Sequence, residues 1–288
     1  MTDSLDNLRH RIAGVRELGS VVRNMKAIAA SGIRQSEMAV EALWDYQHAV
    51  NLGLAACLAR VKSSRTRFPG IRPGAAIGSV VMGSDLGLVG RFNDGIATFA
   101  AGKLLALRGT KTTWICGENV RPLLEESGFM ISNCSPMPGS VKAITATVAG
   151  LLLQMEEFLD AHPFARVLVF YNRIHSTGLP VPVCRQLMPL PQKLWHMDQP
   201  SAPGPELVDG LDVNLGALVR EYLFVAMYRA CAASLAAEHV CRLAAMQRAE
   251  KKIREMTGEL TASYNRLRQG SIDEELFDVI AGTQAARK

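Results

Sequence analysis

Apolar side chains recur at helical spacing along the N-terminal part of the chain. From Leu5 to Ala29 they follow one another at intervals of 3, 4, 3, 3, 4, 3 and 4 residues. This spacing places them on one seam of an α-helix, and Asp3 or Ser4 can cap its first turn. The next residues, rich in Ala, Arg, Glu and Met, let the helix continue to about Val61. At 1.5 Å per residue the helix would measure roughly 85 Å, so it must project from the body of a domain.

The C-terminal part repeats this pattern. Its seam consists of Leu215, Leu218, Tyr222 and Val225, then Ile253, Met256, Leu260, Tyr264 and Leu267, then Ile272, Leu276 and Val279. The pattern predicts a helix of about 65–70 residues, roughly 100 Å long. Two such helices from opposite ends of the chain can bury each other's seams as an antiparallel coiled coil. The seams contain four glycines that allow a close approach of the helices, namely Gly19, Gly32, Gly258 and Gly270.

Between the two helices the pattern changes to short apolar runs separated by turns. All 13 prolines lie between Pro69 and Pro205, and proline breaks the interior of a helix. We therefore divide the chain into an N-terminal helix at residues 1–68, a central domain at 69–205 and a C-terminal helix at 206–288.

The central part alternates predicted strands and helices. Strands are predicted at Ala75–Met82, Lys111–Cys116, Ala165–Ile174 and Val181–Leu190, the last at a sheet edge because of its prolines. Helices are predicted near Asn93–Leu107, Glu118–Ser127 and Ser140–Leu159, and residues 196–205 read as a polar linker. The predicted fold class is α/β, with a Rossmann-like central domain inserted between two long helices that form an antiparallel coiled coil.

Composition and charge narrow the class of protein. Hydrophobic residues make up 48% and charged residues 20% of the chain, which is enough for a packed core. The polar, acidic start at residues 1–6 is unlike a secretory signal, and the longest apolar stretches are too short to span a bilayer. We expect the chain to stay in the cytoplasm or to sit on a membrane through partners. Its net charge of +5 permits an acidic partner.

Residues that could carry catalysis or bind a metal are scattered. The 6 cysteines form no CxxC pair, and neither HExxH nor a carboxylate–histidine cluster occurs. We therefore predict no catalytic residue, no metal site and no bound cofactor. The segment Gly83–Asp94 follows a strand and opens a helix, where α/β folds bind phosphates. Its glycines match neither nucleotide fingerprint, so we predict a tight structural turn with Asp85 or Asn93 as the capping residue.

Charge is unevenly distributed along the last helix. From Arg242 to Arg268 there are 7 basic and 3 acidic residues, and from Gln269 to Ala286 there are 4 acidic and no basic residues. The two readings are a solvated helix face and a helix that runs through a partner with a matching charged lining. The tip, Leu276–Ala286, carries Asp278 as its single charge and is otherwise mostly apolar or small, which suggests a socket in a partner.

Three motifs resemble the gamma subunit of F-type ATP synthases, over essentially the whole chain. Residues 9–16 and 25–34 are similar to the N-terminal shaft helix of that family. Residues 83–93 resemble its SDRGLCGGxN signature, and residues 237–246 and 264–276 resemble SEHxxRMxAM and YNxxRQxxITxEL. Leu86, Val89, Arg91 and Asp273 depart from these signatures. The resemblance is therefore to a divergent member, such as one from an alternative F-type ATPase, and it fits a proton-driven or a sodium-driven complex.

The resemblance implies a non-catalytic rotor shaft with ATP chemistry in the beta subunits. The helical pair would stand inside a ring of three alpha and three beta subunits. The central domain would lie against the epsilon subunit and the membrane ring of c subunits, on the cytoplasmic face of a bacterial inner membrane. No nucleic-acid partner and no insertion into the membrane are expected.

The resemblance also implies which residues contact partners. Arg268 and Gln269 match the family's Arg-Gln pair, which hydrogen-bonds a loop of a beta subunit, and Asp273 replaces a threonine of the family. The whole predicted interface is Arg268, Gln269, Asp273, Arg242, Arg23 and Met25.

Two alternatives come from other functional classes. A dinucleotide-dependent enzyme could use the central α/β domain, but the glycine fingerprint is missing and the long helices stay unexplained. A coiled-coil nucleic-acid-binding protein would need a continuous basic stripe. Residues 1–68 carry a net charge of +4 and residues 206–288 carry −1, so the sequence does not provide one.

Overall fold

The computed structural model describes residues 5–63, 74–195 and 210–285. The helices in these ranges are α1 (Leu5–Ala42), α2 (Trp44–Ser63), α3 (Phe92–Leu105), α4 (Arg121–Glu126), α5 (Ile144–Ala161), α6 (Gln192–Trp195) and α7 (Leu211–Ala285). The strands are β1 (Ile77–Met82), β2 (Lys111–Cys116), β3 (Ile131–Ser135), β4 (Arg166–Ile174) and β5 (Pro180–Met188). The predicted fold class is confirmed, because a mixed α/β sheet lies between long N- and C-terminal helices.

The five strands form one sheet in the order β3-β2-β1-β4-β5. The first four are parallel, and β5 runs antiparallel to β4 at the edge, as its prolines predicted. The strand β3 was missed by the sequence analysis. Of its five residues, ISNCS, three are polar and none is fully buried at the opposite edge of the sheet, so no apolar run marks it.

Helices cover both faces of the sheet. One face packs against α3 and α4 through residues such as Ile77, Val81, Ile115 and Phe170. The other face packs against α2, α5 and α7 through residues such as Val80, Trp114, Val167 and Val169. Burial of apolar area on both faces explains why β1 reads as a continuous apolar run rather than an alternating one.

The chain divides into two compact units. Unit 1 consists of residues 1–28 and 243–288, and unit 2 consists of residues 29–242. Both α1 and α7 contribute to both units. The division of the chain at residues 68 and 205 remains a prediction, and the linker at 196–205 and the caps Asp3 and Ser4 lie outside the described residues.

In unit 1, α1 and α7 pair in antiparallel directions. Arg9 Nε donates a hydrogen bond to Tyr264 Oη at 2.9 Å, and Lys26 Nζ donates to Glu250 Oε2 at 2.8 Å. The partner number falls as the α1 number rises, which defines an antiparallel pair. Between these contacts, a Cβ built on Gly19 would lie 3.3 Å from Ile253 Cγ2, so the glycine permits close packing there.

In unit 2, α1 and α2 continue the antiparallel pairing with α7. A Cβ built on Gly53 would lie 3.3 Å from Leu218 Cδ2, and Gly32 faces the ring of His239. The predicted single N-terminal helix is interrupted at Leu43. Its carbonyl accepts the first hydrogen bond of α2, from Gln47 N at 2.9 Å. Neither proline nor glycine stands at the break, so composition could not predict it.

Candidate partner interface

The three residues of the predicted beta-subunit contact lie on the exposed surface of α7 in unit 1. Arg268, Gln269 and Asp273 are all exposed. Gln269 and Asp273 are four residues apart and share one helix face, whereas Arg268 points about 100° away from Gln269. The arrangement offers a guanidinium fork on one side and an amide next to a carboxylate on the other.

The last turns of α7 expose large apolar side chains. Ile272 is 51% exposed, Leu276 56%, Phe277 70% and Val279 64%. These residues cover more than one helix face, so a single neighbouring helix could not bury them all. An apolar surface of this kind is typical of a segment that binds a partner. Residue 286, the last of the predicted tip, lies outside the described residues.

Two further residues of the predicted interface lie on α1 in unit 1. Arg23 is exposed, and Met25 is half-buried. Arg23 stands close to Glu250, whose pKa is lowered first by the hydrogen bond from Lys26 and to a smaller extent by the positive charges of Lys26, Arg254 and Arg23. This part of the helical pair therefore presents basic side chains around one carboxylate.

Arg242, the remaining residue of the predicted interface, is buried in unit 2. Its guanidinium donates a hydrogen bond to the Glu238 carboxylate, four residues earlier on α7, and both side chains are less than 10% exposed. Burial raises the pKa of the Glu238 carboxyl above its ordinary value, and Arg242 opposes this shift. In the isolated chain little of Arg242 is left for a partner, so its assignment to the interface stays a prediction.

The Glu238–Arg242 pair is one of several buried polar groups of unit 2. Several buried polar atoms have no hydrogen-bond partner in the described structure. They include the hydroxyl oxygens of Ser36 and Ser234, Nδ1 of His239 and Nε of Arg242. Burial, and secondarily the charge of Arg242, lowers the pKa of the His239 imidazole. The sequence showed the four-residue spacing of Glu238 and Arg242, but it could not show that both side chains would be buried.

The segment Gly83–Asp94 forms the predicted structural turn. Both carboxylate oxygens of Asp85 accept backbone hydrogen bonds, from Glu118 N at 2.8 Å and from Met137 N at 2.7 Å. Asn93 Oδ1 accepts a bond from Ser84 N at 3.0 Å. These side chains therefore join the loops at the carboxyl ends of β1, β2 and β3 to one another. The structural turn is as predicted, but neither Asp85 nor Asn93 caps α3, so that part of the prediction was wrong.

The same turn packs against α7 within unit 2. Val89 and Phe92 are buried and form a small apolar cluster with Ala237. The carboxyl edge of β1, where related α/β folds hold a phosphate group, is thus joined to the long C-terminal helix. The helix α3 begins at Phe92 without a side-chain cap, because Asn93 is engaged with Ser84.

In the described ranges, no cluster of three or more His, Cys, Asp or Glu side chains has the arrangement of a metal site. A search for membrane spans over the same ranges finds no helix with the length and apolar character needed to cross a bilayer.

Solved structures with this fold come from the rotating part of ATP synthases. A chain in the central stalk and c-ring of the Tetrahymena thermophila mitochondrial ATP synthase matches with a TM-score of 0.60 and 21% identity, over 80% of this chain and 99% of that chain. A chain in the rotor of the Euglena gracilis mitochondrial ATP synthase matches with a TM-score of 0.63 and 13% identity, over 93% and 98%. This chain therefore shares its fold with the matched chains of these two assemblies.

Sequence comparison identifies the family. The family described as ATP synthase matches residues 4–286. The ATP synthase gamma chain of Granulibacter bethesdensis is 30% identical over 98% of this chain and 99% of its own length, and that of Rhizobium etli is 28% identical over the same shares. The chain belongs to the family of ATP synthase gamma chains.

Membership in this family confirms the resemblance stated above and decides between the classes of function. A gamma chain is a non-catalytic stalk subunit of a rotary ATP synthase, in the peripheral F1 part of the complex, and the catalytic sites lie in the beta subunits. The alternative of a dinucleotide-dependent enzyme was therefore wrong.

Proposed function

We propose that this chain is the rotor shaft that couples ion flow through the membrane sector to ATP synthesis or hydrolysis in the beta subunits. The observation that carries this proposal is the exposed apolar end of α7, from Ile272 to Val279, in a chain of the gamma family. An end of this kind gains stability by entering an apolar sleeve. A ring of alpha and beta subunits provides such a sleeve.

The charge distribution along α7 supports a partner with a matching charged lining. The basic stretch from Arg242 to Arg268 is followed by an acidic stretch from Gln269 to Ala286. Charges on the described part of these stretches are mostly exposed, where they contribute little to the stability of the chain itself. We expect acidic loops of the ring to face the basic stretch, because opposite charges steer and orient an interface.

The shaft acts on the ring through unequal contacts. Three catalytic subunits of identical sequence can differ only if something touches them differently, and an asymmetric helical pair does so. A contact shifts a conformational equilibrium only by the difference in its free energy of binding to the two conformations. Turning the shaft therefore passes each binding state from one beta subunit to the next.

Arg268 and Gln269 form the proposed contact with a beta subunit. The Arg268 guanidinium offers five donors in a fixed fork and suits a loop that carries carboxylates. Asp273 shares a face with Gln269, and as an ionised carboxylate it can only accept hydrogen bonds. It would repel an acidic loop that a threonine hydroxyl would bind, so this contact should depend on Arg268 and Gln269 and be weakened at Asp273.

The remaining partners follow from the place of the shaft. Unit 2 would lie against the epsilon subunit and the ring of c subunits, and the assembly would sit on the cytoplasmic face of a bacterial inner membrane. Family membership and the rotor structures matched above support this placement. No nucleic acid and no direct insertion into the membrane are part of the proposal.

Isolation of the complex tests the proposed function. The full-length chain should co-purify with alpha and beta subunits from membranes, and the purified complex should couple ATP hydrolysis to ion transport. The Arg268→Ala/Gln269→Ala variant should lower assembly or coupling several-fold, because bonds to charged groups contribute on the order of 1.5–3 kcal/mol each. Asp273→Thr should be neutral or raise coupling.

Arg16→Ala is the control, since it removes an exposed arginine of unit 1 that lies outside the basic stretch and outside the proposed contact. It should leave assembly and coupling close to the parent values. A double variant that assembles and couples like the parent would show that Arg268 and Gln269 do not form the contact. A chain that never co-purifies with alpha and beta subunits would refute the rotor assignment itself.

A further inference from the structure

Two arginines of unit 2 lie on one face of α7 without a carboxylate partner. Arg229 belongs to α7, and Arg185, from the edge strand β5, donates a hydrogen bond to Tyr222 Oη at 3.5 Å. Tyr222 and Arg229 are seven residues apart, which is two helical turns and therefore the same face. Among the described residues neither guanidinium forms an ion pair. We call Arg185, Arg229, Trp44 and Tyr222 the arginine patch.

Aromatic rings hold both guanidinium groups in place. The Arg229 guanidinium carbon lies 5.6 Å from the centre of the Trp44 ring, and that of Arg185 lies 6.0 Å from the centre of the Tyr222 ring. At these distances a cation is attracted by the face of the ring. The rings fix the orientation of the two guanidinium groups but do not neutralise their charge. The patch is therefore ordered before any partner binds.

The charge of Arg229 is placed where it is disfavoured. Burial lowers its pKa, and the positive charge of Arg185 lowers it further, against a smaller opposite effect of Tyr171. Like charges that face each other in a partly buried site destabilise the isolated chain. A carboxylate from a partner would reverse this effect, because it would accept hydrogen bonds from the guanidinium groups of both Arg185 and Arg229.

The surface beside the arginines has the composition of an interface. Val40, Trp44 and Arg229 line an open cleft of about 430 Å³ together with Glu41 and Asp45, and Trp44 is 66% exposed. Tryptophan, tyrosine and arginine are the residues that most often dominate the binding energy of interfaces. Glu41 and Asp45 line the same cleft as Arg229 and would favour a partner segment that carries a basic residue next to its acidic one.

We propose that the arginine patch binds an acidic segment of a neighbouring subunit of the complex. The inference rests on the proposed function, since it needs the chain to be assembled with other subunits. Charge complementarity identifies the occupant, because two oriented guanidinium groups that form no ion pair within the described residues bind carboxylates. The exposed Trp44 ring supplies the apolar contact that a free anion would not use.

Zero-length cross-linking tests this contact in the assembled complex. In the Arg229→Lys and Arg185→Lys variants, a carbodiimide activates a carboxylate within ion-pair distance. The introduced amine then displaces the activating group as a urea and forms an amide bond. Mass spectrometry should find an amide between the introduced lysine and an Asp or Glu of another subunit. Arg108→Lys, at an exposed position of the same unit, should give no such product.

A second pair of variants measures the strength of the contact. The Arg185→Ala/Arg229→Ala variant should increase the dissociation rate of the subunit identified by cross-linking on the order of tenfold or more, because each lost bond involves a charged donor. Arg108→Ala should leave the rate unchanged. Cross-links confined to Glu41 or Asp45 of the same chain, or an unchanged dissociation rate, would overturn the inference. If the complex is intact in that case, the rotor assignment is unaffected. Failure of all variants and of the parent to assemble would overturn both.

Discussion

At Gly32 on α1, one added methyl group has two opposite effects on stability. It overpacks a buried contact, and it replaces glycine by a residue with a higher helix propensity. A Cβ built there would lie 2.6 Å from Cδ2 and 2.7 Å from Cε1 of the His239 ring. Carbon atoms in contact normally keep about 3.5–4.0 Å, so the Gly32→Ala methyl must displace the ring or the helix by about 1 Å. The His239 side chain is buried between α1 and α7, which leaves it little room to turn away.

The expected change in stability is a difference of two effects. Overpacking a buried contact costs about 1–3 kcal/mol, and replacing glycine by alanine within a helix gains up to about 1 kcal/mol. Gly32→Ala should therefore lower the free energy of unfolding by about 0–2 kcal/mol. Gly216→Ala is the matched control in the same unit, because nothing lies within 4 Å of its added Cβ. It should raise the free energy of unfolding by up to about 1 kcal/mol.

Urea unfolding of the full-length chain, followed by circular dichroism at the helix band, measures both variants. The Gly32→Ala midpoint should fall below the Gly216→Ala midpoint by the equivalent of about 1–3 kcal/mol. In a His239→Ala background, which removes the ring, Gly32→Ala should become neutral or stabilising. Equal stabilisation by Gly32→Ala and Gly216→Ala in the parent background would refute the close contact between α1 and α7.

Three further outcomes follow from the structure. The isolated chain should give a strong helical circular dichroism signal and associate in solution, because the end of α7 exposes apolar side chains; a monodisperse monomer with a weak helix signal would contradict this. Calorimetry should detect no micromolar binding of ATP or NAD, since the polar groups of the turn at Asp85 bond the protein itself. Thiol reagents should label Cys184, the exposed cysteine, slowly at neutral pH, because partial desolvation of its sulfur by neighbouring atoms raises its pKa, against the smaller opposite effects of the charges of Lys103 and Arg166. Labelling should accelerate as the pH rises above the ordinary thiol range and the thiolate forms. The thiol of Cys116 hydrogen-bonds Cys231 and is buried, which raises its pKa, so it should react only after unfolding.

Elements with strong apolar patterns were predictable from the sequence. The strands β1, β2 and β4 are continuous apolar or β-branched runs, and their bounds differ from the predictions by at most two residues. The long helix α7, with 75 residues, was predicted from a seam that repeats over many turns. In contrast, β3 pairs at a sheet edge through backbone groups that leave no mark on side-chain pattern.

Features that depend on which faces meet were not predictable. The His239 ring lies against Gly32 of α1, and spacing alone does not determine which helix covers that face of α7. The arginine patch joins Arg185, Arg229 and Trp44 from a strand and two helices that are far apart in sequence. The contacts of Arg268 and Gln269 depend on a partner and remain a prediction.

Direct observation of rotation tests the central claim, that this chain is the turning shaft of an ATP synthase. The chain would be assembled with the alpha and beta subunits of its own complex, the ring fixed to a surface, and a bead attached through the exposed Cys184. On addition of ATP the bead should turn continuously in one direction and pause at three positions in each revolution. A ring that contains the chain and hydrolyses ATP while the bead stays still would contradict the account.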